Sequence, residues 1–171
     1  MNPILARWNA LDPATAASEI LPCCGSEAWA EALTAARPIA DEPTLLQAST
    51  RIWHTLSEAA WQQAFDSHPR IGQQHAQHAT EQSLRWSTQE QSKAATTTDT
   101  TKQALAEANH RYEEKFHRIF IVCATGKSSA EILAILESRM HNDPATELRE
   151  AAEQQRQITE LRLQKWLNKG Q

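Results

Sequence analysis

The chain has 171 residues, with 17 lysines and arginines against 21 aspartates and glutamates, a net charge of −4. That mild acidity, without any basic run or stripe, excludes a nucleic-acid surface built on phosphate contacts, and no apolar run approaches the roughly 20 residues needed to cross a bilayer. The length suits one domain over residues 1–171, large enough to bury a core without disulfides or metals.

The opening MNPILARWNALDP lacks the charged and apolar regions of a secretory signal. Asp12-Pro13 is a cap followed by proline at the first helical position, and predicts a helix from Ala14 to Leu21. Pro22-Cys-Cys-Gly25 stops it, and Ser26 with Glu27 begins another, carrying Trp29, Leu33 and Ala36 at helical spacing. Asp41-Glu-Pro43 starts a third, striped by Leu45, Ile52, Trp53 and Leu56. Ser57 caps a short segment pairing Trp61 with Phe65, which ends at Ser67 because Pro69 forces the preceding residue out of the helical region.

GQQHAQHA, from Gly72 to Ala79, has no apolar period and reads as a loop or a frayed helix start. A helix is predicted from Glu81 to Ala95, a turn or cap over Thr96–Thr101, and a longer helix from Ala104 to about Phe120. IFIVCATG is apolar all round, hence buried, and its period does not say helix or strand. Ser128-Ser129 caps a helix from Glu131 to Met140, and Asp143-Pro144 opens the last, Ala145 to about Leu167. The pattern predicts an all-α, single-domain helical bundle of about eight helices. Cys23, Cys24 and Cys123, an odd set with one adjacent pair, read as reduced thiols in a cytoplasmic setting, Cys123 as a small core residue.

Two groups can carry chemistry. His68 stands before Pro69, so its imidazole leaves a helix end on a stiff, extended support, a favoured place for an acid or base. Ser87, Glu90 and Gln91 share one helix face, where hydroxyl, carboxylate and amide can orient an imidazole or bind a polar ligand, or can form an ordinary solvated face. His68, His75 and His78 allow a different reading, a histidine-rich metal-binding or adaptor module, although no carboxylate or thiol stands at convincing spacing beside them. Arg162 is either a surface charge or a forked clamp for a carboxylate.

The ordered series RPI, HPRIG, WSTQEQ, LAEANHRYEEKF, FIVCATGKS and ELREAAEQQRQITELRL resembles the 2-oxo-4-hydroxy-4-carboxy-5-ureidoimidazoline (OHCU) decarboxylase family, from about Asn9 to Leu167. The resemblance implies an all-α fold without cofactors, commonly homodimeric, that converts OHCU to (S)-allantoin and carbon dioxide at the end of oxidative urate degradation. It places the catalytic histidine on His68, with Pro69 lining the substrate site. The essential carboxylate falls on Glu90, in a substrate-binding motif of Ser87, Thr88, Gln89 and Gln91. It gives the main chain of Phe120, Ile121, Val122, Cys123 and Ala124 to the ureido and ring amides, and Arg162 to the C-terminal arginine. The family usually has glycine after the phenylalanine of YEEKF; this chain has His117, which alters a helix turn near the pocket wall. Another ureido or imidazoline acid is a second possible substrate for the same fold. The ending Asn168-Lys-Gly-Gln171 is not a peroxisomal tripeptide.

Overall fold

Every α-helix among the described residues opens on a polar side chain that accepts a hydrogen bond from its first turn. In this computed structural model, which describes residues 1–73, 79–95 and 98–169, there are nine α-helices, one 3-10 turn and no strand among those residues. Asn2 caps α1 (Pro3–Ala10), Asp12 caps α2 (Pro13–Ile20), Ser26 caps α3 (Glu27–Ala35) and Asp41 caps α4 (Glu42–Thr55). Ser57 caps α5 (Glu58–Asp66), Thr80 caps α6 (Glu81–Glu90) and Thr98 caps α7 (Asp99–Phe116). Ser128 forms a full capping box with Glu131 on α8 (Ser129–Arg139), and Asp143 caps α9 (Pro144–Leu167). Each cap satisfies amide donors that a helix end otherwise leaves unpaired. None of these helices is long and apolar enough to cross a membrane.

The chain forms two compact units, residues 1–64 with 156–171, and residues 65–155. In the first, the tryptophans dominate. Trp8 donates to Ala16 O at 2.9 Å and meets Trp166 edge-on, with ring centroids 5.8 Å apart. Trp29 donates to Ser49 Oγ at 3.1 Å and Trp61 to Trp53 O at 2.9 Å, so these rings bury their apolar surface without stranding an N–H. Each fully buried large side chain of this kind contributes about 1.5–3 kcal/mol relative to exposure.

In the second unit α7 packs on α8 around Leu105, Tyr112, Phe116, Ile132 and Leu136. Tyr112 lies against both Phe116 and Phe120, at 4.7 and 5.2 Å between centroids. Beneath it is a fully buried carboxylate, Glu147, which accepts from Tyr112 Oη, from Arg139 Nε and NH2, and from Asn142 Nδ2.

Three boundaries depart from the sequence reading, and the undecided run 120–124 takes a form of its own. Helix α1 was not foreseen, although Asn2-Pro3 repeats the cap-and-proline device of Asp12-Pro13. Helix α6 stops at Glu90 rather than Ala95; Ser129 Oγ takes the Ala94 carbonyl and Lys93 Nζ reaches Gly126 O, so 91–95 winds in short turns. Helix α7 begins at Asp99 and ends at Phe116, where His117 takes a left-handed conformation, φ 56°. Residues 120–124 are buried yet belong to no helix or strand.

Candidate functional site

His68 follows directly on the end of α5. Its N–H closes the last turn onto Phe65 O at 3.1 Å, and Pro69, which has no N–H and crowds the residue before it, prevents a further turn. The imidazole is 9 % exposed. Its Nε2 lies 2.6 Å from Oε1 of Gln155, a side chain with no exposure, on α9. An amide oxygen only accepts, so at this contact the imidazole is the donor, through Nε2.

The loop that carries His68 is tied to two further helices. Arg70 grips Glu113 of α7 with two bonds, at 2.5 and 3.0 Å. The Gly72 N–H donates to Gln91 Oε1 at 2.9 Å, at the end of α6. Gly72 has φ +85°, a conformation that side chains adopt only with strain. HPRIG and the motif SxxEQ are therefore physically joined through the glutamine.

Helix periodicity divides that second motif. Ser87 and Glu90 are buried, at 4 % and 8 % exposure, whereas Thr88 and Gln89 face outward and Gln91 is half-buried. Ser87 Oγ donates back to Ser83 O at 3.0 Å. Glu90 acts on the Cys123 thiol: burial pushes that thiol up, and Lys127 opposes the shift more strongly than the Glu90 carboxylate adds to it. Thr88 and Gln91 line a cavity of about 410 Å³ together with Ile71, Gly72, Lys102 and Ser129; neither His68 nor Glu90 lines it.

Residues 120–124 are held by side chains rather than by a ladder. Arg139 NH1 donates to Ile121 O at 2.6 Å while its guanidinium covers the Phe120 ring, 4.5 Å from the centroid. Cys123 N–H donates to Gln154 Oε1 at 2.8 Å, and Cys123 O accepts from Lys127 Nζ at 2.7 Å. The Val122 N–H and C=O, in a residue 6 % exposed, have no hydrogen bond among the described residues.

These contacts connect the predicted residues of the second unit. Gln155 holds His68, Gln154 holds Cys123, and Gln91 holds the loop of His68. Arg162 belongs to the first unit, is 1 % exposed, and donates from NH1 to Pro22 O at 3.3 Å. There its charge partly offsets the burial that pushes the Cys24 thiol up to about 12. His75 and His78, on which the metal-binding alternative rests, lie outside the described residues.

Sequence reasoning passed over Gln154, Gln155, Arg139 and Glu147. A signal for Gln155 was present: it stands in the buried stripe of α9 with Ala151, Ala152, Ile158, Thr159 and Leu163, where an amide is out of place unless it has a task.

The family model for OHCU decarboxylase matches residues 9–164 of the chain. The chain belongs to the OHCU decarboxylase family. The uric acid degradation bifunctional protein TTL of Arabidopsis thaliana is 38 % identical over 144 residues, covering 84 % of this chain and 44 % of that protein. The 2-oxo-4-hydroxy-4-carboxy-5-ureidoimidazoline decarboxylase of Amia calva is 41 % identical over 56 residues, 33 % of this chain and 32 % of that one. The chain thus spans less than half the length of the curated relatives it matches. Among solved structures, an OHCU decarboxylase crystallised in the presence of (S)-allantoin aligns with TM-score 0.76 and 37 % identity, over 88 % of this chain and 97 % of that one. An (S)-allantoin synthase, at 20 % identity and TM-score 0.71, covers 95 % of this chain and 53 % of its own and shares the fold.

Proposed function

We propose that this protein decarboxylates OHCU to (S)-allantoin, the last step of oxidative urate degradation, with residues 1–171 acting as one domain. A single family match running over 9–164 supports the one-domain reading. The observation that carries the activity is His68, a buried imidazole on a proline-stiffened support, held through Nε2 by Gln155.

The chemistry needs an acid–base group and an electron acceptor, and the substrate brings the acceptor. Its carboxylate and hydroxyl share one carbon beside a ring C=N. When the bond to the carboxylate breaks, the electron pair forms a double bond to the ureido-bearing carbon. The imine pair moves onto the ring nitrogen, which takes a proton. The resulting enol loses its hydroxyl proton and gains one at the ureido-bearing carbon. One proton is consumed per carbon dioxide released.

His68 takes the hydroxyl proton or delivers the new C–H proton, and delivery from one face accounts for a single enantiomer. Glu90 binds the hydroxyl or a ring N–H, and the Ser87 oxygen accepts a further hydrogen bond. Pro69 and the side chains of Thr88, Gln89 and Gln91 complete the surround, and the main chain of 120–124, through the open Val122 peptide groups, receives the amides. Arg162 has the forked geometry for an anionic or carbonyl oxygen. The reading includes a homodimer, as the resemblance implies, in a cytoplasmic setting, as the reduced thiols suggest.

A circular dichroism time course of freshly made OHCU tests it. Rapid growth of the (S)-allantoin signal with protein is the expected result. Decay at the spontaneous rate without optical activity would overturn it.

A further inference from the structure

We infer that Gln155 is the residue that orients His68 and fixes its ring hydrogen on Nε2, while its neighbour Gln154 sets the position of the 120–124 main chain. This rests on the reading of His68 as the acid–base group.

The argument begins with burial. A primary amide without solvent access costs free energy unless its polar atoms are bonded, and Gln155 has no exposure at all. Its Oε1 takes the His68 Nε2 hydrogen across 2.6 Å. The partner is neutral, and this matters for the chemistry. A carboxylate in the same place would favour the imidazolium and hold the ring charged. An amide oxygen orients the ring without itself adding charge.

Gln154 does the complementary task. Adjacent residues on a helix diverge by about 100°, so the two amides necessarily serve different neighbours. Gln154 Oε1 accepts the Cys123 N–H at 2.8 Å, and its Nε2 donates to Glu150 Oε1, one turn earlier, at 3.1 Å. Glu150 thereby fixes which end of the Gln154 amide faces Cys123. Two successive residues of α9 locate both the reacting imidazole and the peptide run beside it. Both glutamines are positioning residues, because each acts through another group.

Gln155→Met keeps the length and removes the acceptor; Gln155→Glu keeps an accepting oxygen. Nitrogen-15 NMR of the histidine side chains, with His68 assigned from the spectrum of His68→Asn, reads the tautomer directly. The expected parent spectrum has neutral His68 protonated at Nε2, with Gln155→Met showing both tautomers and Gln155→Glu retaining the Nε2 hydrogen. On OHCU, Gln155→Met is expected to lower kcat about 10–100-fold with KM little changed, the size typical of lost outer-shell orientation. A parent spectrum with the hydrogen on Nδ1 overturns the proposal, as does Gln155→Met with parental kcat. If the parent itself fails to accelerate OHCU decay, the functional reading fails, while the spectra still decide the tautomer. If Gln155→Met does not fold, the parent and Gln155→Glu spectra decide.

Discussion

Arg139 and Glu147 face one another at 2.5 Å in the interior of the second unit, with side chains 6 % and 0 % exposed. The pair does more than neutralise itself, since Arg139 also holds Ile121 O and Tyr112 donates to the same carboxylate. Removing one member of such a buried pair leaves a charge without its counterion. Glu147→Ala is therefore expected to destabilise the protein by about 3–5 kcal/mol, read from the midpoint of urea unfolding at unchanged slope. A loss below about 1 kcal/mol would show that the cluster is dispensable.

His68→Asn is expected to fold with a near-parental melting temperature and to lose about 10²–10⁴ in the acceleration of OHCU decay. The circular dichroism assay reads the rate, and thermal melting confirms the fold. Parental turnover by this variant would exonerate the imidazole.

The thiols supply a test that requires no substrate. Burial pushes up Cys23, Cys24 and Cys123, with Cys24 reaching about 12. At pH 8 a thiol with a value near 12 is ionised about once in 10⁴ molecules, and the thiolate is the reactive form. A colorimetric disulfide reagent is expected to find almost no reactive thiol in the native protein and all three after denaturation in guanidinium. Rapid labelling of the folded chain would contradict this burial.

His117 closes α7 in the left-handed region, at φ 56°, where glycine has no Cβ to strain. The resemblance marked this position as a departure from the family, and the backbone gives the reason for the glycine found there. His117→Gly is expected to add about 1 kcal/mol, or roughly 2–4 °C in melting temperature. A fall in melting temperature would mean that the imidazole makes a compensating contact.

Acid sensitivity follows from the caps. Asp12, Asp41 and Asp143 are held below the ordinary carboxylate value by hydrogen bonds from Thr15, Thr44 and Thr146, and Glu131 by those from Ser128. A folded value below the unfolded one means that stability is present above the unfolded value, near pH 4, and is lost as pH falls through the lowered folded values. Asp143→Asn keeps a capping oxygen but removes the titration. Its denaturation midpoint is expected to fall less steeply than the parent's between pH 5 and pH 2. Identical slopes would separate the cap from the acid response.

The fold was legible where a local device sets it. Asp12-Pro13, Asp41-Glu-Pro43 and Asp143-Pro144 each announced a helix within three residues, and Asn2-Pro3 would have done so by the same rule. The end of α6 was not legible, because Ser92-Lys-Ala-Ala95 is good helix sequence and is turned aside by Ser129 and Gly126, more than thirty residues away. The site divides in the same way. Pro69 made His68 visible from one neighbour, whereas its partner Gln155 is 87 positions distant. The run 120–124 has no period to read, since its shape is imposed by Arg139, Gln154 and Lys127.

The distance from the Asp143 cap to Gln154 and Gln155 is a count of residues along one uninterrupted helix. Inserting or deleting a single amino acid between them would swing both amides by about 100° and aim neither at its target. Sequences that keep this chemistry are thus free to change many letters of that segment but not its length, and an alignment gap there would be a sign that the activity has been lost.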